Sequence, residues 1–129
     1  MKNITKKYTI KAPISSVWRA LTDPSVIQEW SGVPAIMTTQ LAKFSLWGGD
    51  IHGINTEVTE NELLKQDWYS EDWAQPSKVT FTLEVKKNNT ILTLLHESFP
   101  EAEAKDLEHG WEEFYLKPIK QLLEDQFSN

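Results

Sequence analysis

The chain contains no cysteine. This absence excludes disulfide bonds, thiolate metal sites and cysteine nucleophiles, and it is typical of proteins from a reducing compartment. No apolar run approaches the roughly 20 residues that a membrane-spanning helix needs, so we expect no membrane span. The opening stretch from Met1 to Lys7 also lacks the apolar core of a signal peptide. These absences together favour a cytoplasmic protein.

Positive charge is scarce as well, since the chain has 13 lysines and arginines but 19 acidic residues, which gives a net charge of −6. Such a surface would repel a phosphate backbone, so we expect no nucleic-acid partner. The length of 129 residues predicts one domain over 1–129 with a core of its own. Six tryptophans stand out at this length. Because tryptophan rings are enriched in pockets and interfaces, they favour a lined cavity.

The first third of the sequence predicts one strand followed by two short helices. Side chains alternate from Lys2 to Lys11, which indicates a strand. Asp23 as N-cap and Pro24 as first residue predict the start of the second helix, which carries Trp30. The first helix is predicted from an apolar stripe of Ile14, Val17, Trp18 and Leu21.

The middle of the sequence predicts strands only, joined by short turns into an antiparallel meander. In the predicted strand Val79–Lys86, the alternation of apolar and polar residues places Val79, Phe81, Leu83 and Val85 inward. In the last one both sides carry apolar groups, so its inward face stays open. The predicted strands are Ala35–Leu41, Phe44–Trp47, Asp50–Thr59, Leu63–Tyr69, Val79–Lys86 and Ile91–His96.

The C-terminal part, from Ala102 to Phe127, predicts one long amphipathic helix. Pro118 lies inside it and removes a backbone donor, so we expect a kink or bend between Phe114 and Pro118. One helix must cover the sheet, and periodicity leaves open whether the space between them is filled or hollow. The apolar stripe of the helix is Leu107, Trp111, Phe114, Tyr115, Ile119, Leu122 and Leu123.

Five segments, in order, resemble START-like (SRPBCC) domains. The resemblance is closest to the bacterial family named after the C-terminal domain of the activator of the ninety-kilodalton heat-shock chaperone ATPase, and it covers nearly the whole chain. Each motif is short, and their order makes the resemblance specific for fold. The segments are Lys11 to Pro24 followed by Trp30, Gly48-Gly49-Asp50 with Gly53, Leu64 with Trp68, Leu92 to Phe99, and His109-Gly110-Trp111.

The resemblance implies an α+β helix-grip fold, in which a curved antiparallel sheet wraps around a long C-terminal helix and two short helices follow the first strand. It also implies a pocket between helix and sheet for a small hydrophobic or amphipathic molecule, such as a lipid, polyketide or flavonoid. It selects the side of the last strand that carries Leu92, Leu94 and His96 as the inward one. The loop around Asp72-Trp73 and the polar Asn55 depart from the family pattern.

Large apolar side chains are the candidate ligand-binding residues. They would line the pocket for a flat or chain-like ligand. The alternative is that the same rings fill the core at ordinary packing density. The candidates are Trp30, Trp47, Trp68, Phe81, Leu83, Leu92, Leu94, His96, Phe99, Trp111, Phe114 and Tyr115.

The three histidines, His52, His96 and His109, lack the spacing of metal ligands, so we expect neither a metal nor another cofactor. An enzyme of the cyclase or dehydratase type would use His96 as general acid or base, with Glu57 or Glu97 orienting it. No nucleophile or second carboxylate is fixed beside that pair, so the sequence favours a binding module over an enzyme.

A chaperone-activator role, exerted through the protein surface, is the other alternative and depends on the family name. The acidic residues early in the long helix predict a solvated face or a docking surface for a basic partner. These residues are Glu101, Glu103, Asp106, Glu108, Glu112 and Glu113.

Overall fold

Six antiparallel strands form one curved sheet in the structure, a computed structural model that describes residues 2–37, 43–46, 51–70 and 75–127. The strand order is β1-β6-β5-β4-β3-β2, so the first strand pairs with the last, as the predicted meander requires. The helix-grip fold expected from the sequence is therefore confirmed. The strands are β1 Lys2–Ile10, β2 Lys43–Leu46, β3 Ile51–Thr59, β4 Leu63–Ser70, β5 Ser77–Lys86 and β6 Asn89–Phe99.

Two short helices, α1 (Ile14–Thr22) and α2 (Pro24–Ser31), follow β1 as predicted. The Asp23 carboxylate accepts a hydrogen bond from the Ser25 backbone N–H at 2.9 Å and caps α2. The indole N–H of Trp30 donates to the carbonyl oxygen of Ala20 at 2.8 Å, which fixes α2 against α1.

The long helix is continuous in extent but not uniform in winding. A 3-10 turn, Glu101–Glu103, leads into α3 (Ala104–Gly110), then a π-helical segment over Trp111–Leu116, and finally α4 (Lys117–Phe127). Within this π segment, the backbone N–H of Lys117 donates to the Glu112 carbonyl five residues back. Pro118 follows directly. A π turn therefore ends just before the proline that was expected to disturb the regular winding, and the predicted kink or bend stays a prediction.

The wider winding moves the buried side of the helix by about one residue. Phe114, predicted to lie in the apolar stripe, is 60% exposed, whereas Leu116, absent from the predicted stripe, is 1% exposed. The prediction for Phe114 is wrong because it assumed 3.6 residues per turn throughout. Trp111 and Tyr115 remain buried on the side that faces the sheet.

Two further strand predictions need correction. Ala35–Leu41 was expected to be a strand, but over residues 35–37 the structure has a single bridge between Ile36 and Ser45, and residues 38–41 lie outside the described part. Val85, expected to face inward, is 63% exposed, because it lies next to the β5–β6 turn, at the end of the strand. The predictions for Trp47, for Gly48-Gly49-Asp50 and for Asp72-Trp73 also fall on residues outside the described ranges.

The inward side of β6 was open from periodicity and follows the family resemblance. Leu92 is 1% exposed, and Leu94 and His96 are both fully buried. Ser98 has a φ of 65°, and Phe99 beyond it is buried again. This arrangement brings His96 into the core beneath the long helix, where the functional question lies.

A candidate ligand-binding cleft

His96 belongs to a chain of hydrogen bonds buried between the helix and the sheet. The indole N–H of Trp111 donates to Nδ1 of His96 at 2.9 Å. Because an indole can only donate, Nδ1 must be the acceptor, and the imidazole then carries its proton on Nε2. That Nε2–H lies 2.7 Å from the hydroxyl oxygen of Ser77, whose own hydrogen reaches the Trp68 carbonyl at 3.3 Å. The network therefore fixes one neutral tautomer.

The environment of His96 also keeps it uncharged. Burial lowers the pKa of His96 to about 4, since a charged imidazolium would lose its hydration there. Both ring nitrogens are engaged by protein groups, which leaves the imidazole poorly placed to exchange protons with a substrate. Glu57, the predicted orienting carboxylate, is exposed and lies 3.7 Å from the ammonium of Lys65. The expected pairing of Glu57 with His96 is therefore not formed.

Aromatic rings fill the space directly under the π segment. Trp68 of β4 and Trp111 stack with their ring centroids 4.6 Å apart and their planes 19° from parallel. Phe81 meets Trp111 edge-on at 5.7 Å, and Tyr115 lies 4.7 Å from both Trp111 and Trp30. Contacts of this kind are typical of a packed core. The interior at this depth is filled rather than hollow.

A second buried polar chain holds the Trp68 ring. Its indole N–H donates to the Gln66 side-chain oxygen at 2.9 Å, and the Gln66 amide donates to Asn55 at 2.9 Å. The Asn55 amide in turn lies 3.5 Å from the sulfur of Met37. Asn55 is fully buried, so this polar residue does face inward, and the chain explains how it is accommodated. Both rings of the stacked tryptophan pair are thereby fixed through their N–H groups.

Outside this packed layer, a cleft remains open between the long helix and the β3–β4 side of the sheet. Its volume is about 310 Å³, at the lower end of the range for small-molecule sites. The stacked tryptophans form its inner wall, and Phe114 lies at its edge. Its lining residues are Ile51, Trp68, Asp106, Leu107, Gly110, Trp111, Phe114 and Tyr115.

The predicted site residues divide into two groups. Four of them, Trp68, Trp111, Phe114 and Tyr115, line the cleft. The structure buries seven others in the core behind it, and Trp47 lies outside the described residues. The core group is Trp30, Phe81, Leu83, Leu92, Leu94, His96 and Phe99. The predicted ligand-binding set thus combines part of the cleft wall with part of the packed core, and its role in binding stays a prediction.

Four lining residues were missing from the predicted site. Leu107 belongs to the apolar stripe of the helix, and Ile51 shares the inward side of β3 with Gly53 and Asn55, so both could have been found. Asp106 and Gly110 carry no apolar signal, and only the fold brings them to the cleft.

The opposite side of the helix is fastened to β1 by polar contacts. The Lys6 ammonium lies 3.8 Å from Glu108 and 3.9 Å from Glu112. Lys120 donates to the Thr9 carbonyl at 2.6 Å. The helix therefore contacts β1 along one side, and the cleft lies on its other side, next to β3 and β4.

The described ranges contain neither a metal-binding cluster nor a membrane-spanning helix. No group of three or more potential ligands among the described residues could hold a metal ion. Within the same part of the chain, no helix is both long and apolar enough to cross a bilayer.

The chain resembles known proteins over most of its length. The family model described as "Activator of Hsp90 ATPase homolog 1-like protein" matches residues 11–124. An uncharacterised protein of Schizosaccharomyces pombe is 26% identical over 121 residues, covering 92% of this chain and 36% of the relative. An activator of 90 kDa heat shock protein ATPase homolog from Dictyostelium discoideum is 33% identical over 81 residues, covering 60% and 21% respectively. The chain thus spans about a third or less of these relatives.

A solved structure shares the fold over nearly its full length. The structure of an HSP90 activator from Plasmodium falciparum superposes with a TM-score of 0.88 at 27% identity. The alignment covers 95% of this chain and 96% of that one. The helix-grip arrangement around the cleft is accordingly shared with that protein.

Proposed function

The chain belongs to the family of Activator of Hsp90 ATPase homolog 1-like proteins, and from that premise we propose that it binds a small hydrophobic or amphipathic molecule in the cleft. The observation that carries the proposal is the open apolar cleft of about 310 Å³ built on the stacked rings of Trp68 and Trp111. Among the described residues that line it, six of eight are apolar or aromatic. Such a composition is typical of small-molecule sites.

Phe114 supports the same proposal. Its side chain is 60% exposed at the edge of the cleft, and a ligand that covered it would gain roughly 25 cal/mol for each Å² of apolar surface removed from water. The π segment places Phe114 there, and π turns are frequent at functional sites. A ring system or a short chain suits the volume better than a long acyl chain does.

The proposal is tested by NMR titration of the isotope-labelled protein with flavonoids, aromatic polyketides and short fatty acids. Binding should shift the indole N–H signals of Trp68 and Trp111, which form the inner wall. Leu107→Trp should fill the cleft and abolish these shifts. Val85→Trp is the matched control, since Val85 is 63% exposed and does not line the cleft. Absence of shifts throughout the panel, or unchanged binding in Leu107→Trp, would refute the proposal.

A second candidate function is activation of the ninety-kilodalton heat-shock chaperone by surface contact. The observation that favours it is the likeness to a chain of nearly equal length described as an HSP90 activator. The acidic residues of the helix and the net charge of −6 would complement a basic surface on such a partner.

This second function is tested by the ATPase rate of the purified chaperone with and without the chain. Activation should rise with the chain's concentration and weaken with added salt, because salt screens exposed charges. An unchanged ATPase rate, together with no complex in sedimentation, would argue against it. The cyclase or dehydratase alternative gains no support, because neither His96 nor Glu57 lines the cleft.

A further inference from the structure

We propose that the ligand of the cleft is an amphipathic cation, with a ring against the tryptophan wall and an ammonium group beside Asp106. This inference rests on the proposed binding function and adds the chemical class of the ligand. The cleft supplies two different surfaces for such a molecule: an apolar wall from Trp68 and Trp111, and one carboxylate from Asp106.

Asp106 is the only side chain with a formal charge among the described residues that line the cleft. No described lysine, arginine or histidine lies among those lining residues. An anionic ligand would thus meet a negative charge with no described cation to balance it, on a protein whose net charge is already −6. A cationic group would be attracted by both.

Asp106 also differs from four other acidic residues along the helix. Glu108 and Glu112 face Lys6, Glu113 pairs with Lys117 at 2.8 Å, and Glu124 pairs with Lys120 at 2.8 Å. Asp106 forms no ion pair with any residue that the structure describes. Among the described residues, Asp106 is therefore a helix carboxylate that forms no ion pair and lines the cleft.

The exposed ring of Phe114 favours the same charge. Ring faces carry negative electrostatic potential and attract ammonium groups, so pockets that combine aromatic walls with a carboxylate suit cationic ligands. Phe114 offers an exposed ring on the same stretch of helix. An apolar molecule without charge would use the wall but not Asp106, and it should bind more weakly.

Three matched probes separate these possibilities: tryptamine, tryptophol and indole-3-propionate. They carry the same ring and a side chain of similar length that ends in an ammonium, a hydroxyl or a carboxylate. Dissociation constants come from NMR titration of the Trp68 and Trp111 indole N–H signals. We expect tryptamine to bind about two- to five-fold more tightly than tryptophol, the range for one solvated ion pair. Indole-3-propionate should bind more weakly than tryptophol.

Asp106→Asn should remove the advantage of tryptamine and leave the affinity for tryptophol unchanged. Glu108→Gln is the matched control: it removes one negative charge from the same helix, but Glu108 faces Lys6 and does not line the cleft. Added salt should reduce the preference in the wild-type protein.

The outcomes distinguish this inference from the proposed function. Equal affinity for all three probes in the wild type, with shifts at both tryptophans, would overturn the cation preference and leave cleft binding intact. A preference that persists in Asp106→Asn, or disappears equally in Glu108→Gln, would overturn the role of Asp106. If no probe shifts either tryptophan signal, the inference fails together with binding of a ring in the cleft.

Discussion

Trp111 on the long helix and His96 on β6 are joined by a hydrogen bond of 2.9 Å from the indole N–H to Nδ1. The bond crosses the boundary between helix and sheet where both residues are buried. It fixes the neutral tautomer of His96 and, at the same time, the orientation of one ring of the cleft wall. The sequence makes His96 a candidate for catalysis, but in the structure His96 positions the ring of Trp111.

Replacing His96 should destabilise the protein. In His96→Leu the buried N–H of Trp111 loses its acceptor, and the free energy of unfolding should fall by about 1–3 kcal/mol. His52→Leu is the control, since His52 is exposed on the outer side of β3, and it should change stability by less than about 0.5 kcal/mol. Urea denaturation measures both. Equal effects for the two variants would contradict the proposed importance of the buried bond.

Stability should depend on pH through His96. The folded-state pKa lies at about 4, below the ordinary value of 6.5. Between these values the unfolded chain binds a proton that the folded protein does not, so stability is present above pH 6.5 and falls toward pH 4. The slope is up to about 1.4 kcal/mol per pH unit, and this contribution stops falling once both states are protonated.

The comparison of wild type with His96→Gln isolates this effect. Carboxylates such as Asp23 and Glu113, whose pKa values are lowered by hydrogen bonds from Ser25 and Lys117, also lose stabilisation in acid. They do so in both proteins. Denaturation midpoints measured at successive pH values should therefore converge as the pH falls. Parallel curves for the two proteins would show that His96 does not titrate in this way.

Two phenylalanines of the structure should lose very different amounts of stability on the same substitution. Phe81 is fully buried against Trp111 and Tyr115, so Phe81→Ala should lower the free energy of unfolding by about 3–5 kcal/mol. Phe114 is 60% exposed, so Phe114→Ala should cost less than about 1 kcal/mol. Phe114→Ala should also weaken ligand binding in the cleft. A loss of several kcal/mol in Phe114→Ala would mean that the π segment is wound differently.

Two glycines provide a further contrast. A methyl group at Gly110 would meet no atom within 4 Å, so Gly110→Ala should raise the free energy of unfolding by about 0.5–1 kcal/mol through helix propensity. At Gly53 a methyl group would overlap the carbonyl oxygen of Asp67 on the neighbouring strand. Gly53→Ala should therefore distort the β3–β4 pairing and destabilise the protein. Thermal unfolding of both variants checks the opposite signs.

The sequence was sufficient for the elements whose signals are local. Asp23 and Pro24 mark the start of α2 through capping and a fixed backbone angle, which need no distant partner. Alternation predicted the inward side of β5 as far as Leu83 and failed at Val85, where the strand end leaves the core. Periodicity reports which side is apolar, but not where the covering layer stops.

The cleft itself depended on contacts between residues far apart in the chain. Ile51, Trp68 and Asp106 come together only because β3, β4 and the helix pack against one another. The sequence also left open whether the layer beneath them is filled, since the same aromatic residues suit a pocket wall or a packed core. The volume that remains is set by how the rings interdigitate.

The sequence alone determined the order of the elements, because hydrophobic spacing and capping act over a few residues. The family and the curved sheet under the long helix were implied by the resemblance of its short motifs to START-like domains. The tertiary structure decided that His96 is a buried, neutral partner of Trp111 and that Phe114 turns outward on a π turn. It also decided that Asp106 lines the cleft and forms no ion pair with a lysine among the described residues. Burial, winding and charge pairing depend on neighbours that only the folded chain brings together.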